Sequence, residues 1–210
     1  MGNRKIINLA IGKTKDYIWN NIKEKSAIGK TAVTEAKLTI SGFTGDGVAN
    51  PEFHGGVDRA VCLYPFEHYP NWERLFNKRL QLPAFGENLT ATGMMEAEVC
   101  IGDIYQIGDA VIQVTQGRVP CSTISQFNQE AQFLKKVFET SLTGYFFRVL
   151  EEGTIRIDSQ IELVEQHEKR ITVLFAAETL FHNHDKFGIK KVLQVEELAA
   201  DWRNRFLKLI

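Results

Sequence analysis

The chain has 210 residues, of which 44% are hydrophobic and 24% charged, with a formal net charge of −1. That composition suits one globular domain, or one with a small appendage, and it lacks the electrostatic footprint of a nucleic-acid binder. The opening MGNRKIINLAIGKTKDYIW is interrupted by Asn8, Lys13 and Lys15, and nowhere do about eighteen apolar residues run together, so we expect a cytoplasmic protein with no membrane partner.

Taken in chain order, Ile6, Ile7, Leu9 and Ile11 predict a first strand, and TAVTEAKLTI a second, with Val33, Ala36, Leu38 and Ile40 as its apolar positions. VDRAVCLYP, residues 57–65, predicts a further strand stopped by Pro65. The period then changes: in EHYPNWERLFNKRL, Trp72, Leu75, Phe76 and Arg79 share one helical face. EVCIGDIYQIGDAVIQVTQ is divided by two Gly-Asp dipeptides into short strands, and GYFFRVLEEGTIRIDSQIELV repeats the style around Glu-Glu-Gly. Many short strands with glycine turns predict a mainly β fold, a closed or nearly closed barrel with a few helices. Past His167 the strand pattern stops. Leu198, Trp202, Arg205, Phe206 and Leu209 are three or four apart, and Asn183 and Gly188 flank an expected turn between helices. We divide the chain into a barrel, 1–166, and a helical segment, 167–210, too short to bury a large core alone and therefore docked on the barrel.

Three stretches could carry chemistry. In QGRVPCSTISQF, residues 116–127, Cys121 follows a proline at a corner, close to Arg118. Thr123 and Gln126 have the spacing of a capping box, so a helix is expected just beyond the thiol. Positive charge from Arg118 and a helix N-terminus would favour a thiolate, the form needed by a nucleophile or a soft-metal ligand; the alternative is a small hydrophobe at a bend. In PEFHGGVDRAV, residues 51–61, Gly55 and Gly56 after His54 would let backbone approach a ligand, and Asp58 and Arg59 suit an ion pair or a phosphate contact. In FGENLTATG, Asn88 can donate to and accept from a heterocycle. Cys62 and Cys100 fall in predicted strands and read as core filler, His68 and His167 as surface positions, and His182 and His184 as a solvated turn. No Cys-x-x-Cys pair occurs, and three cysteines are too few for an ordinary iron–sulfur cluster. Electrons for any redox chemistry would come from outside the chain.

In order and spacing, HGGVDRAV, CLYPFEHYPNW, FGENLT and QGRVPCSTI resemble the MOSC family, named for the C-terminal domain of molybdenum-cofactor sulfurase, and in particular its small stand-alone bacterial members. The resemblance spans nearly the whole chain. It implies a MOSC β-barrel followed by three short helices, a molybdenum–pterin cofactor, and Cys121 as catalytic residue and metal ligand. Arg59, Arg118, Gly55, Gly56, His54, Asp58 and Asn88 are then candidates for holding that cofactor. It further implies an oxidoreductase that removes oxygen from small N-hydroxylated compounds, hydroxylaminopurines or amidoximes, with electrons from an external flavoprotein or similar reductase. The rival is a sulfur carrier or a cofactor-binding and transfer protein using Cys121 as a persulfide or ligand. Pyridoxal phosphate is associated with the family through the sulfurase's other part, and no lysine motif here supports it. One departure stands out: many relatives have Gln-Pro-Arg-x-Pro-Cys, where this chain has Gly117 in place of the first proline.

Overall fold

A computed structural model describes residues 4–49 and 55–210. The mainly β expectation holds. Strands β1 (Lys5–Ile11), β4 (Thr31–Ala32), β7 (Val61–Pro65), β8 (Leu89–Thr92), β9 (Ile104–Ile107), β10 (Ala110–Gly117), β11 (Tyr145–Glu151) and β13 (Ile161–Glu165) form one eight-stranded sheet in the order β13-β9-β10-β11-β7-β8-β1-β4. Its neighbours are antiparallel except β7 and β8, where Leu63 lies opposite Leu89 in a parallel pair. The sheet curls until Lys5 of β1 meets Gln160, just before β13, in a single antiparallel bridge. Strands β5 (Glu35–Thr39), β6 (Gly42–Phe43) and β12 (Gly153–Arg156) make a second sheet, and β2 (Lys15–Trp19) and β3 (Ile22–Ser26) a hairpin.

Several boundaries differ from the sequence expectation, each for a local reason. The strand predicted over 57–65 covers only its second half: Gly56 has φ +106°, and Val57–Arg59 coil into a 3-10 turn closed by Arg59 N–H donating to Gly56 O at 2.9 Å. The strand predicted over 31–40 is two strands in different sheets, and Glu-Glu-Gly does not make a hairpin, because β12 pairs with β5. Helix α1 (Tyr69–Phe76) stops where Asn77 turns left-handed, leaving Arg79 beyond it and Leu75 exposed.

Helices α2 (Thr123–Asn128) and α3 (Phe133–Thr140) close an aromatic cluster in which Tyr64 stacks on Phe85 with ring centroids 3.6 Å apart. Beyond β13 come α4 (Val173–Glu178), a π turn (Thr179–Asn183), α5 (Lys186–Leu193) and α6 (Ala200–Leu207). Gly188 lies inside α5 rather than at a turn, because Asp185 caps that helix by accepting from its N–H. These helices share the barrel's core: Val173, Ile189, Trp202 and Phe206 pack in one cluster with Ile112, Val114 and Phe147. Ala199 N–H donates to Thr115 O at 3.1 Å, tying the start of α6 to β10.

His68 and His167 are not surface residues. His68 is 1% exposed, with Nε2 2.6 Å from Oε2 of the fully buried Glu96, and His167 Nε2 lies 2.9 Å from Glu197 Oε2. The carboxylates that hold these histidines, Glu96 and Glu197, lie 28 and 30 positions away in the chain. Among the described residues no helix is long and apolar enough to cross a membrane.

Candidate functional site

One cavity of about 430 Å³ opens where the end of β10 and the starts of β7 and β8 come together, and residues from all three candidate stretches line it. Its inner wall is Cys62, Phe85, Asn88, Gln116, Arg118 and Cys121. The loops 26–30, 41–49 and 55–60 supply two further walls, and α6 supplies Asp201 and Arg205.

The Cys121 loop is set from both ends. At its start, Gly117 lies against the Trp202 ring, so that an added Cβ would sit 2.5 Å from Trp202 Cη2. This explains a residue that sequence could record only as a departure from its relatives: the indole of α6 fills the place of a side chain. Arg118 N–H then donates to Gly144 O at 2.9 Å, while its guanidinium turns inward and donates to Phe85 O. Burial works against the Arg118 charge, but the sulfurs of Cys62 and Cys121, with Glu87 and Tyr64, outweigh it and hold the guanidinium above its ordinary range. Val119 and Pro120 turn the chain, and Cys121 arrives half-buried, its carbonyl accepting from Ile124 N–H at 3.2 Å as α2 begins. The expected capping box is absent: Ser122 holds the cap position without a side-chain bond, and Gln126 reaches toward Glu24 instead.

Sequence reasoning missed the opposite wall. Lys30 and Asp46 pair at 2.5 Å with side chains only 6% and 14% exposed. Asp46 Oδ1 also accepts from Gly12 N–H at 2.8 Å, and its Oδ2 accepts from Asn88 Nδ2 at 2.8 Å. Asn88 in turn donates to Ala10 O and accepts from Cys62 N–H at 3.1 Å. Its amide therefore fastens β1, β7 and the 41–49 loop together. Cys62 is in a strand and buried, as expected of filler, but it also lines the cavity, and burial pushes its thiol up to about 11. No local pattern marks Lys30 or Asp46, because their pairing spans two loops and depends on how the barrel closes.

Arg59 lies on the third wall, 12% exposed, with Nη1 donating to Gly55 O at 3.3 Å and Nη2 2.9 Å from Asp201 Oδ2. Gly55 and Gly56 line the cavity with it, and a Cβ on Gly56 would meet nothing within 4 Å, so its glycine requirement is its backbone conformation. Asp58 does not line the cavity. Its carboxylate pairs with Arg148 of β11 at 2.8 Å, behind the wall, and its carbonyl accepts from Thr115 Oγ1. His54 lies outside the described residues. His182 and His184 bond to backbone carbonyls near the helices, away from the cavity.

The lining carries Lys30, Arg59, Arg118 and Arg205 against Asp46 and Asp201, an excess of two positive charges. Gln116 Oε1, also in the wall, is buried without a hydrogen-bond partner. A cationic cavity with an unpaired buried acceptor, glycine-rich backbone and a soft sulfur fits an anionic heterocycle bearing donor groups and a thiophilic metal. Among the described residues no group of three or more His, Cys, Asp or Glu gathers for a metal. The cavity wall offers two sulfurs, the half-buried one of Cys121 and the buried one of Cys62.

The MOSC domain family model matches residues 50–162, which include Arg59, Asn88, Arg118 and Cys121. The chain is 38% identical over 205 residues to the uncharacterized protein YflK of Bacillus subtilis, covering 97% of this chain and 93% of that one. It superposes on the crystal structure of YiiM from Geobacillus stearothermophilus with a TM-score of 0.84, at 31% identity and 98% coverage of each. A Gibberella moniliformis protein named "Reductase" is 37% identical over 140 residues, which are 65% of this chain but 25% of that protein.

Proposed function

The chain belongs to the MOSC domain family, whose members are associated with the molybdenum cofactor, and from that premise we propose that it is a molybdenum-cofactor-dependent reductase of N-hydroxylated compounds. The observation that carries this reading is the half-buried thiol of Cys121 on a cationic cavity wall beside Arg118. The likeness to a much longer protein named "Reductase" supports the reaction type.

On this reading Cys121 supplies a thiolate ligand, and Arg59 and Arg118 hold the anionic end of a pterin, with the Gly55–Gly56 backbone alongside. Gln116 Oε1 accepts from a ring donor, and Asn88 holds the two walls in register. When bound, the cofactor would supply two-electron oxygen-transfer chemistry, and these residues would hold and orient it. The overall change converts R–NH–OH to R–NH2 and water, consuming two electrons and two protons. The electrons come from an external donor of flavoprotein type, because three separate cysteines offer no cluster.

The test is molybdenum and pterin content per chain, in wild type and Cys121→Ser, after expression in a cofactor-competent host. Metal near one equivalent in the wild type and lost in the variant is expected. Equal retention by both would remove Cys121 as a ligand. No cofactor in either, where a known molybdenum enzyme loads, would refute the reading and favour a persulfide on Cys121.

A further inference from the structure

Of the cationic side chains in the cavity wall, Lys30, Arg59 and Arg205 each have a carboxylate within 3.0 Å. Arg118, among the described residues, has no carboxylate in direct contact; its guanidinium donates to the carbonyl of Phe85. Two fully buried glutamates reach it at one remove. Phe85 N–H donates to Glu87 Oε2 at 3.0 Å, and Glu87 Oε1 accepts from Tyr69 Oη at 2.6 Å and from Thr90 Oγ1 at 2.7 Å. Gly144, whose carbonyl accepts from Arg118 N–H, donates its own N–H to Glu96 Oε1 at 2.8 Å. The other oxygen of Glu96 faces His68 Nε2 at 2.6 Å.

The two arrangements share a plan. One residue gives its N–H to a buried carboxylate and its C=O to Arg118, so the carboxylate fixes the acceptor and the acceptor fixes the arginine. Neither intermediary has room to shift. Gly144 has φ +71°, and a Cβ there would lie 2.6 Å from Leu63 O. The Phe85 ring is stacked on Tyr64 and meets Tyr69 and Phe133 edge-on at centroid distances of 5.6 and 5.1 Å. Carboxylates away from water are held by the donors around them, because separating the two would leave both unsatisfied. Neither glutamate lines the cavity.

We propose that Glu87 and Glu96 are positioning residues for the wall that carries Cys121: Glu87 acts through Phe85 on the Arg118 guanidinium, and Glu96 through Gly144 on the Arg118 backbone. They hold a positive charge beside the thiol without setting a carboxylate against it, which leaves that charge unneutralised at close range. The proposal deepens the reading of this wall as the reactive one and rests on that reading for its part in a reaction. The positioning itself is tested without cofactor.

The experiment is competitive alkylation of Cys121 in cofactor-free protein by iodoacetate and iodoacetamide, at fixed pH and low ionic strength, followed by peptide mapping. Both reagents need the same thiolate, so the iodoacetate-to-iodoacetamide rate ratio reports local charge and not the thiolate population. Arg118→Gln calibrates the readout and should lower the ratio about fivefold. Glu87→Met and Glu96→Met should each lower it about twofold or more. Removing a carboxylate alone would raise the ratio or leave it, so a fall reports that the guanidinium has left its place. Glu96→Gln, whose amide can accept from Gly144 N–H and donate to the His68 ring, should restore the wild-type ratio. Melting curves by circular dichroism establish that each variant is folded. Where a Met variant does not fold, Tyr69→Phe stands in for Glu87→Met and His68→Leu for Glu96→Met, each removing one partner of the glutamate, and a fall is again expected. A ratio unchanged or raised in either position's folded variant, or a Glu96→Gln ratio as low as that of Glu96→Met, overturns the proposal. The expected ratios in protein that never loads molybdenum would keep the positioning and sink the reductase reading; loading with unchanged ratios would do the reverse.

Discussion

Gly117→Ala tests how the helical segment sets the Cys121 loop. Within a strand, alanine normally gains roughly 0.5–1 kcal/mol over glycine through lower backbone entropy in the unfolded chain. Here the added methyl would lie 2.5 Å from Trp202 Cη2 and 2.9 Å from Cζ2. The indole has little room to move, being fully buried with Phe181 and Phe206 rings at centroid distances of 6.1 and 6.0 Å. Overpacking of this kind costs about 1–3 kcal/mol, which exceeds the entropic gain, so a net loss of about 1–2 kcal/mol is expected. Urea unfolding followed by circular dichroism measures it. The decisive comparison repeats the substitution in a Trp202→Phe background, which removes the second ring. There Gly117→Ala should be neutral or stabilising, a coupling of about 1 kcal/mol or more. An equal loss in both backgrounds would place the strain in the β10 backbone and refute the account.

Asp46→Ala leaves the Lys30 ammonium without its carboxylate at a nearly dry site, and should lower unfolding free energy by about 3–5 kcal/mol in the same assay. A loss below about 1 kcal/mol would mean that solvent reaches Lys30. His68→Leu removes the partner of a fully buried Glu96 oxygen, and thermal unfolding should register a loss of about 3 kcal/mol; an unchanged midpoint would argue against the pair. Near pH 8, iodoacetamide should modify folded protein at Cys121 well before the others. Burial pushes both Cys62 and Cys100 up to about 11, and their thiolate populations grow only as pH rises toward that value. Peptide mapping that finds Cys62 alkylated as fast as Cys121 would contradict the described burial.

The alternation of Ile112 and Val114 with Gln113 and Thr115 made β10 legible, because a strand with one face in a core writes period two into the sequence. The corner at Cys121 was legible for a different reason, since proline restricts its neighbours whatever surrounds them. The turn at Val57–Arg59 was not, because its apolar residues read as strand while one backbone angle at Gly56 decides the outcome. His68 and Glu96 meet across 28 positions, and Arg59 and Asp201 across most of the chain, so no window of sequence contains either pair. The same limit hid Lys30 and Asp46, whose buried contact exists only once the barrel has closed.

The seat of Trp202 on Gly117 also imposes an order of events during synthesis. About eighty residues of chain lie between Cys121 and Trp202, and ribosomes add roughly 5–20 residues per second. A growing chain therefore spends several seconds with Cys121 already synthesised and α6 still to come. Until α6 is made, the cavity wall lacks Asp201 and Arg205, and Gly117 lacks the indole that packs on it.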